Sequence, residues 1–206
     1  MKKLSPLLAL LALPLLAAPI FIDLRAPAFS GAHGLSNFSL ISGGLLVQIT
    51  TNMGTLEWDS TDGIGIDSSS YEDDEIEGRE RLTVALTHPQ PLVWDSILLT
   101  DLFHEDGYLE SGAVSFDGGL GWLWFQADPG QVPGSTNGEL TLDVNQIATS
   151  ALFKAPGRSE CKNQEFAVAA LQVHPTPEPD SAALVVIGVV LLGVGGLWQK
   201  LRRRAG

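Results

Sequence analysis

The sequence predicts an all-β fold, an antiparallel β-sandwich of jelly-roll-like type. Three observations carry this. Apolar and polar residues alternate with period 2 in several stretches of the middle of the chain. Turn-forming clusters separate those stretches, among them His88-Pro89-Gln90-Pro91, Asp117-Gly118-Gly119 and the run from Asp128 to Gly138. No amphipathic helix of convincing length interrupts the pattern, so no helix longer than about three turns is expected between Leu35 and Val173.

In chain order the predicted strands are GLLVQITT, RLTVALT, LVWDSILLT, GAVSF, GWLWFQA, ELTLDV and EFAVAALQV. Leu82, Val84 and Leu86 share one face of RLTVALT, and Leu140, Leu142 and Val144 share one face of ELTLDV. Phe166 and Val168 alternate with Ala167 and Ala169, so both faces of that strand are apolar. Leu82, Val84, Leu140, Leu142, Phe166 and Val168 are therefore expected in the core. Trp122 and Trp124 share one face of GWLWFQ, with Leu123 and Phe125 on the other. The first expectation for the two tryptophans is packing between sheets. The alternative is an exposed pair that stacks on sugar rings.

The ends read differently from the body. Lys2 and Lys3 precede LSPLLALLALPLLAA, a charged region, an apolar region and small residues in the order of a secretory signal peptide, assigned to 1–18 as a helix. Residues 19–173 form the ectodomain, a length sufficient for one sizeable core. Cys161 is the one cysteine, so no disulfide within the chain is available to it. Residues 174–180 form a stiff Pro-rich linker, because proline fixes φ. Ser181–Trp198 then carries no charge; as a helix it covers roughly 27 Å, the short end of a membrane span. Lys200, Arg202, Arg203 and Arg204 follow as a basic stop signal, so 181–206 reads as a transmembrane helix with a basic tail.

Charge supports this layout. The chain holds 24 acidic and 12 basic residues, and every acid lies from Asp23 to Asp180. Six of the basic residues lie at the extreme ends, which leaves six cations against all the acids and a net −18 in between. Such a body repels nucleic acid, and the basic ends stay in the cytoplasm while the acidic body crosses the membrane.

Pro177-Glu178-Pro179, the apolar span, the basic cluster and the chain end, in that order, resemble the PEP-CTERM sorting signal. The middle, with SYEDDEIEGRERLTV and ILLTDLFHEDGYLESGAVSFDGG, is similar to β-rich ectodomains that carry this tail. The resemblance implies recognition by an exosortase, a membrane-embedded cysteine transpeptidase-like enzyme. It also implies transient anchoring, cleavage near the motif and delivery to the cell surface or extracellular matrix. Such proteins are associated with exopolysaccharide and biofilm producers, so exopolysaccharide is an implied partner.

Motifs for chemistry are sparse. The sequence contains neither H-E-x-x-H nor G-x-S-x-G, and no catalytic residue is assigned. No cofactor is assigned either; Ca²⁺ is the alternative. Its candidate ligands are Asp73, Asp74 and Glu75 in YEDDEIEG, and Asp101, Glu105 and Asp106, near Glu110, in a second acidic stretch. The simpler reading of both is a solvated acidic loop. The expected function is thus a non-enzymatic exported surface protein. A carbohydrate- or calcium-binding module is the first alternative and a hydrolase the second.

Overall fold

The computed structural model describes residues 18–68, 75–105, 107–134, 138–156 and 164–176. Strands β1 (Ile20–Asp23), β2 (Asn37–Ser42), β3 (Leu45–Thr51), β4 (Thr55–Asp59) and β5 (Gly63–Asp67) come first, with a 3₁₀ helix, Pro27–Ala32, after β1. Then follow β6 (Leu82–Thr87), β7 (Leu92–Thr100), the short pair β8 (His104–Glu105) and β9 (Tyr108–Leu109), β10 (Ser111–Ser115) and β11 (Leu123–Gln126). Strands β12 (Leu140–Ile147), β13 (Ser150–Lys154) and β14 (Ala167–Pro175) complete the order. That 3₁₀ helix is the one helix among the described residues, and none of them forms a helix long and apolar enough to cross a membrane. The expected signal peptide, sorting motif and apolar span lie outside the described residues, Ala18 apart.

The strands build two six-stranded antiparallel sheets. The first runs β12-β7-β14-β5-β4, with β1 also pairing β14, and the second runs β11-β10-β13-β6-β3-β2. Most consecutive strands lie in different sheets, and one buried cluster takes side chains from both. Within it Phe125 and Phe166 meet edge to face, with ring centroids 5.0 Å apart. Gly112 allows that pair: a Cβ there would stand 2.5 Å from each ring. Trp94, fully buried, donates its indole N–H to the Ala148 carbonyl at 3.0 Å.

Leu82, Val84, Phe166 and Val168 are fully buried, as alternation predicts. Leu140 and Leu142 are not. They are only half-buried, because β12 is the outermost strand of its sheet. A bulge between Asp143 and Gln146, with Asn145 at φ 52°, then breaks its register. The expectation of core packing for the tryptophan pair also needs correction. Strand β11 is a sheet edge, Trp124 is 56% exposed and Trp122 is half-buried.

Residues Ala18–Pro175 make one compact unit. Its two ends leave side by side: β1 and β14 are antiparallel, and Ile20 pairs with Val173. His174 Nδ1 lies 2.8 Å from an Asp95 carboxylate oxygen, which ties the last turn of β14 to β7.

Candidate functional site

Exposed Trp124 and half-buried Trp122 sit on the outer face of the second sheet. The preceding turn sets their position. Asp117 Oδ1 accepts the N–H groups of Leu120 at 2.9 Å and Gly121 at 2.8 Å, and the Ser115 hydroxyl at 2.7 Å. Gly119 donates its N–H to the Ser115 hydroxyl oxygen at 2.8 Å. The Gly121 hydrogen bond, with help from Ser115, holds the Asp117 carboxyl below the usual carboxylate range. Gly118 and Gly119 take φ of 73° and 97°, values that favour glycine. The turn closes onto Trp122, whose ring would lie 3.4 Å from a Cβ at Gly119.

Register brings the other parts together. Ala113 on β10 pairs with Trp124 on one side and with Lys154 on the other. Directly paired residues share a face, so Trp124, Ala113 and Lys154 form one row. Strands β11 and β13 are about 10 Å apart across β10. The side chains bridge that gap: Lys154 Nζ lies 3.9 Å from the Trp122 ring centroid and 5.1 Å from that of Trp124. Ala113 and Ser115 share the outer face, yet they are 0% and 1% exposed. Ala113 is flanked by Trp124 and Lys154, and Ser115 pairs with Leu152 and is engaged by Asp117 and Gly119. Burial, with the nearby Arg81 charge as a second cause, pushes the Lys154 ammonium below its ordinary range.

The acidic candidates do not assemble in the expected way. Asp73, Asp74 and Asp106 lie outside the described residues, as does the side chain of Glu105. Asp101 is half-buried with φ 56°. Glu110 is buried and holds its own loop, accepting the Phe103 N–H at 2.6 Å. Glu75 meets acids that were not anticipated, lining a cleft of about 280 Å³ with Glu57, Asp59 and Asp62. Asp59 is already engaged there: its Oδ1 accepts the Thr61 N–H at 2.5 Å, the main cause of its lowered pKa. His33 Nδ1 stands 2.8 Å from Glu57. Among the described residues no group of three or more His, Cys, Asp or Glu side chains is arranged to hold a metal ion. A second cleft, about 580 Å³, is lined in part by Arg25, which reaches Asp23 and Glu139 at 3.2 Å each.

Glu80 is a fully buried acid. Its Oε2 accepts the Glu77 N–H at 2.9 Å, and its Oε1 has no partner. Burial raises its pKa; the Glu77 amide opposes the rise, and the Asp67 charge adds to it. A carboxyl with a raised folded pKa favours the folded state below its unfolded pKa, and that contribution fades as pH rises through the folded value. Glu80→Gln keeps an acceptor for Glu77 and removes the buried charge. It should therefore stabilise the protein by about 1 kcal/mol at neutral pH and by little near pH ~4. Urea unfolding of both proteins at the two pH values checks this.

No known protein-family model matches the chain, and no curated protein is similar to it. Sequence reasoning named Trp122 and Trp124 but missed Lys154 and Arg81. The place of Lys154 beside the indoles, and of Arg81 next to Lys154, depends on strand pairing, which no local pattern in SALFK reveals.

Proposed function

We propose that this chain is an exported cell-surface or extracellular-matrix protein, anchored transiently by its tail and released by an exosortase-type enzyme at Pro177-Glu178-Pro179. In this reading the body is a jelly-roll-like, non-enzymatic module, flanked by a signal peptide and a transmembrane helix. The observation that supports it best is the pairing of Ile20 with Val173. The leader and the tail join the folded unit at one place, so both can engage the same membrane while the body lies on one side of it. The body also ends at Pro175, just before the motif, which leaves Pro177-Glu178-Pro179 to the linker. The proline residues keep that linker out of helix, as a protease substrate requires.

Fractionation of a host with and without its exosortase gene tests the reading. Shorter protein should reach the surface or medium in the first, and full-length protein should remain in the inner membrane in the second. Equal distribution in both would reject it.

A second reading, a carbohydrate-binding body, is favoured by the 56% exposure of Trp124 beside Trp122. It concerns what the body does after delivery and is compatible with the first.

A further inference from the structure

We propose that the end of the body from which both chain ends leave rests on a phospholipid bilayer, with Phe21, Ile41, Leu46, Leu120 and Ile147 entering the headgroup layer. The proposal rests on the reading of Ser181–Trp198 as a membrane span, and it concerns the body while it is anchored.

Strand pairing collects the parts of this end. Ile20 pairs with Val173 and Leu92 with Pro175, so the first residues of β1 and β7 lie beside the last of β14. The links 43–44, 88–91, 116–122 and 148–149 close the same end. A Cβ at Gly43 would stand 2.5 Å from the Ile20 side chain, and the Ala148 N–H donates to the Leu92 carbonyl at 3.2 Å. Thr87, the last residue of β6, pairs with Leu46, which pairs in turn with Ile41. Ser115 pairs with Leu152, near the start of β13, so the turn after β10 belongs here too.

Two properties set this end apart. The first is exposed apolar surface: Leu120 is 90% and Ile41 75% exposed, and Phe21, Leu46 and Ile147 are exposed as well. They sit in or next to different links and collar the end from both sheets. Large apolar side chains gathered in this way mark a contact surface. The second property is charge. The four links hold no Lys, Arg or Glu and one Asp, in a body rich in acids. That residue, Asp117, turns its carboxylate to the N–H groups of its own turn. The opposite end differs: Asp23, Asp62 and Glu139 line a cleft there with Thr100. Thr100 and Leu92 are the two ends of β7, roughly 26 Å apart. Acids are repelled by anionic headgroups, so the acid-poor end is the one that can approach lipid.

Chain length names the occupant. In the span reading the membrane begins at Ser181, six residues after Pro175. Six residues reach at most about 20 Å, less than the length of β7, so this end is held close to the bilayer. Apolar side chains held there gain by leaving water for the boundary between headgroups and acyl chains. A second copy is a poorer occupant, because two strongly acidic bodies repel each other.

The test uses the full chain with Cys161→Ser and one new thiol, from Ile41→Cys, Leu120→Cys, Ile147→Cys or Tyr108→Cys. Tyr108 is exposed just ahead of β10, at the end away from the 116–122 link. Each thiol carries a nitrobenzoxadiazole label, and the protein is reconstituted in phosphatidylcholine vesicles with or without a lipid that bears a nitroxide near its headgroup. The nitroxide should quench the labels at 41, 120 and 147 at least about twofold and the label at 108 little. The quenching should survive high salt, because the contact is apolar. Leu120→Ser with Ile147→Ser should reduce quenching at 41 roughly twofold, whereas a body held only by its leash would be quenched equally with and without them. Protein that alkaline carbonate extracts from the vesicles would show that 181–198 does not span, and the proposal would fall with that reading. Protein that resists extraction, yet is quenched no more at 41, 120 and 147 than at 108, would overturn this proposal alone. Energy transfer between labelled copies in place of lipid quenching would also overturn it and make the occupant a second copy.

Discussion

Gly63→Ala is expected to abolish cooperative folding of the body or to lower its stability by about 4 kcal/mol. Gly63 opens β5 with φ 106°, a conformation that side chains rarely adopt. A Cβ there would collide with the carbonyl oxygen of Val168 and lie 2.7 Å from the Ala169 Cα. Those atoms are backbone of β14, the strand that pairs with β7, β5 and β1. They cannot step aside as a side-chain tip can. The pairing of β5 with β14 rests on Val168 opposite Ile64, next to the collision, so β4 and β5 would part from the sheet together. Domains of this size are stable by only about 5–15 kcal/mol, which makes the loss a large fraction. Gly44→Ala is the control: φ is 81°, but nothing lies within 4 Å of its Cβ position, so a cost of about 1 kcal/mol is expected. Thermal unfolding followed by circular dichroism compares the two. Similar melting temperatures would show that the close approach at Gly63 is not what holds this sheet.

The same strand shows where sequence reading stops. Alternation located β3, β6, β7, β10, β11, β12 and β14, because each has enough β-branched or large apolar residues at period 2. Strand β5, Gly63-Ile64-Gly65-Ile66-Asp67, was not among them: glycine fills two of its five positions, and only the contact with β14 explains Gly63. Strand β13 is five residues long and β1 follows a long apolar run of sequence directly, so neither stands out from its surroundings. Burial on β12 was misjudged for a different reason. Leu140 and Leu142 have the right period, but period says nothing about whether a strand is central or at an edge. That distinction also decides the tryptophan pair: in a central strand both would be core, whereas Trp124 on the edge strand β11 is exposed and Trp122, just before it, is half-buried. The aromatic half of the site was thus legible as residue types, and the cationic half required the register that pairs Ala113 with Lys154.

Glu178→Ala is expected to stop release of the protein while leaving its insertion unchanged. In the proposed reading insertion depends on the apolar span Ser181–Trp198 and on Lys200, Arg202, Arg203 and Arg204, none of which the substitution touches. A permanent anchor needs only those parts. In the proposed reading the prolines and Glu178 are what the enzyme recognises, and such an enzyme would use the one charged side chain between the two prolines. Full-length protein should therefore accumulate in the inner membrane, with at least a tenfold fall in the surface fraction as a rough expectation. Replacing Arg202, Arg203 and Arg204 together should act on the other function and disturb retention and orientation. Immunoblots of membrane and surface fractions separate the two effects. If Glu178→Ala protein were released normally, the motif would be a plain linker.

The most direct test of the central claim is the intact mass of the wild-type protein recovered from a host that contains an exosortase. The account predicts a mature chain that lacks the signal peptide and ends near Pro177-Glu178-Pro179, without Ser181–Gly206. A mass that still includes Gly206 would contradict it and make the span a permanent anchor.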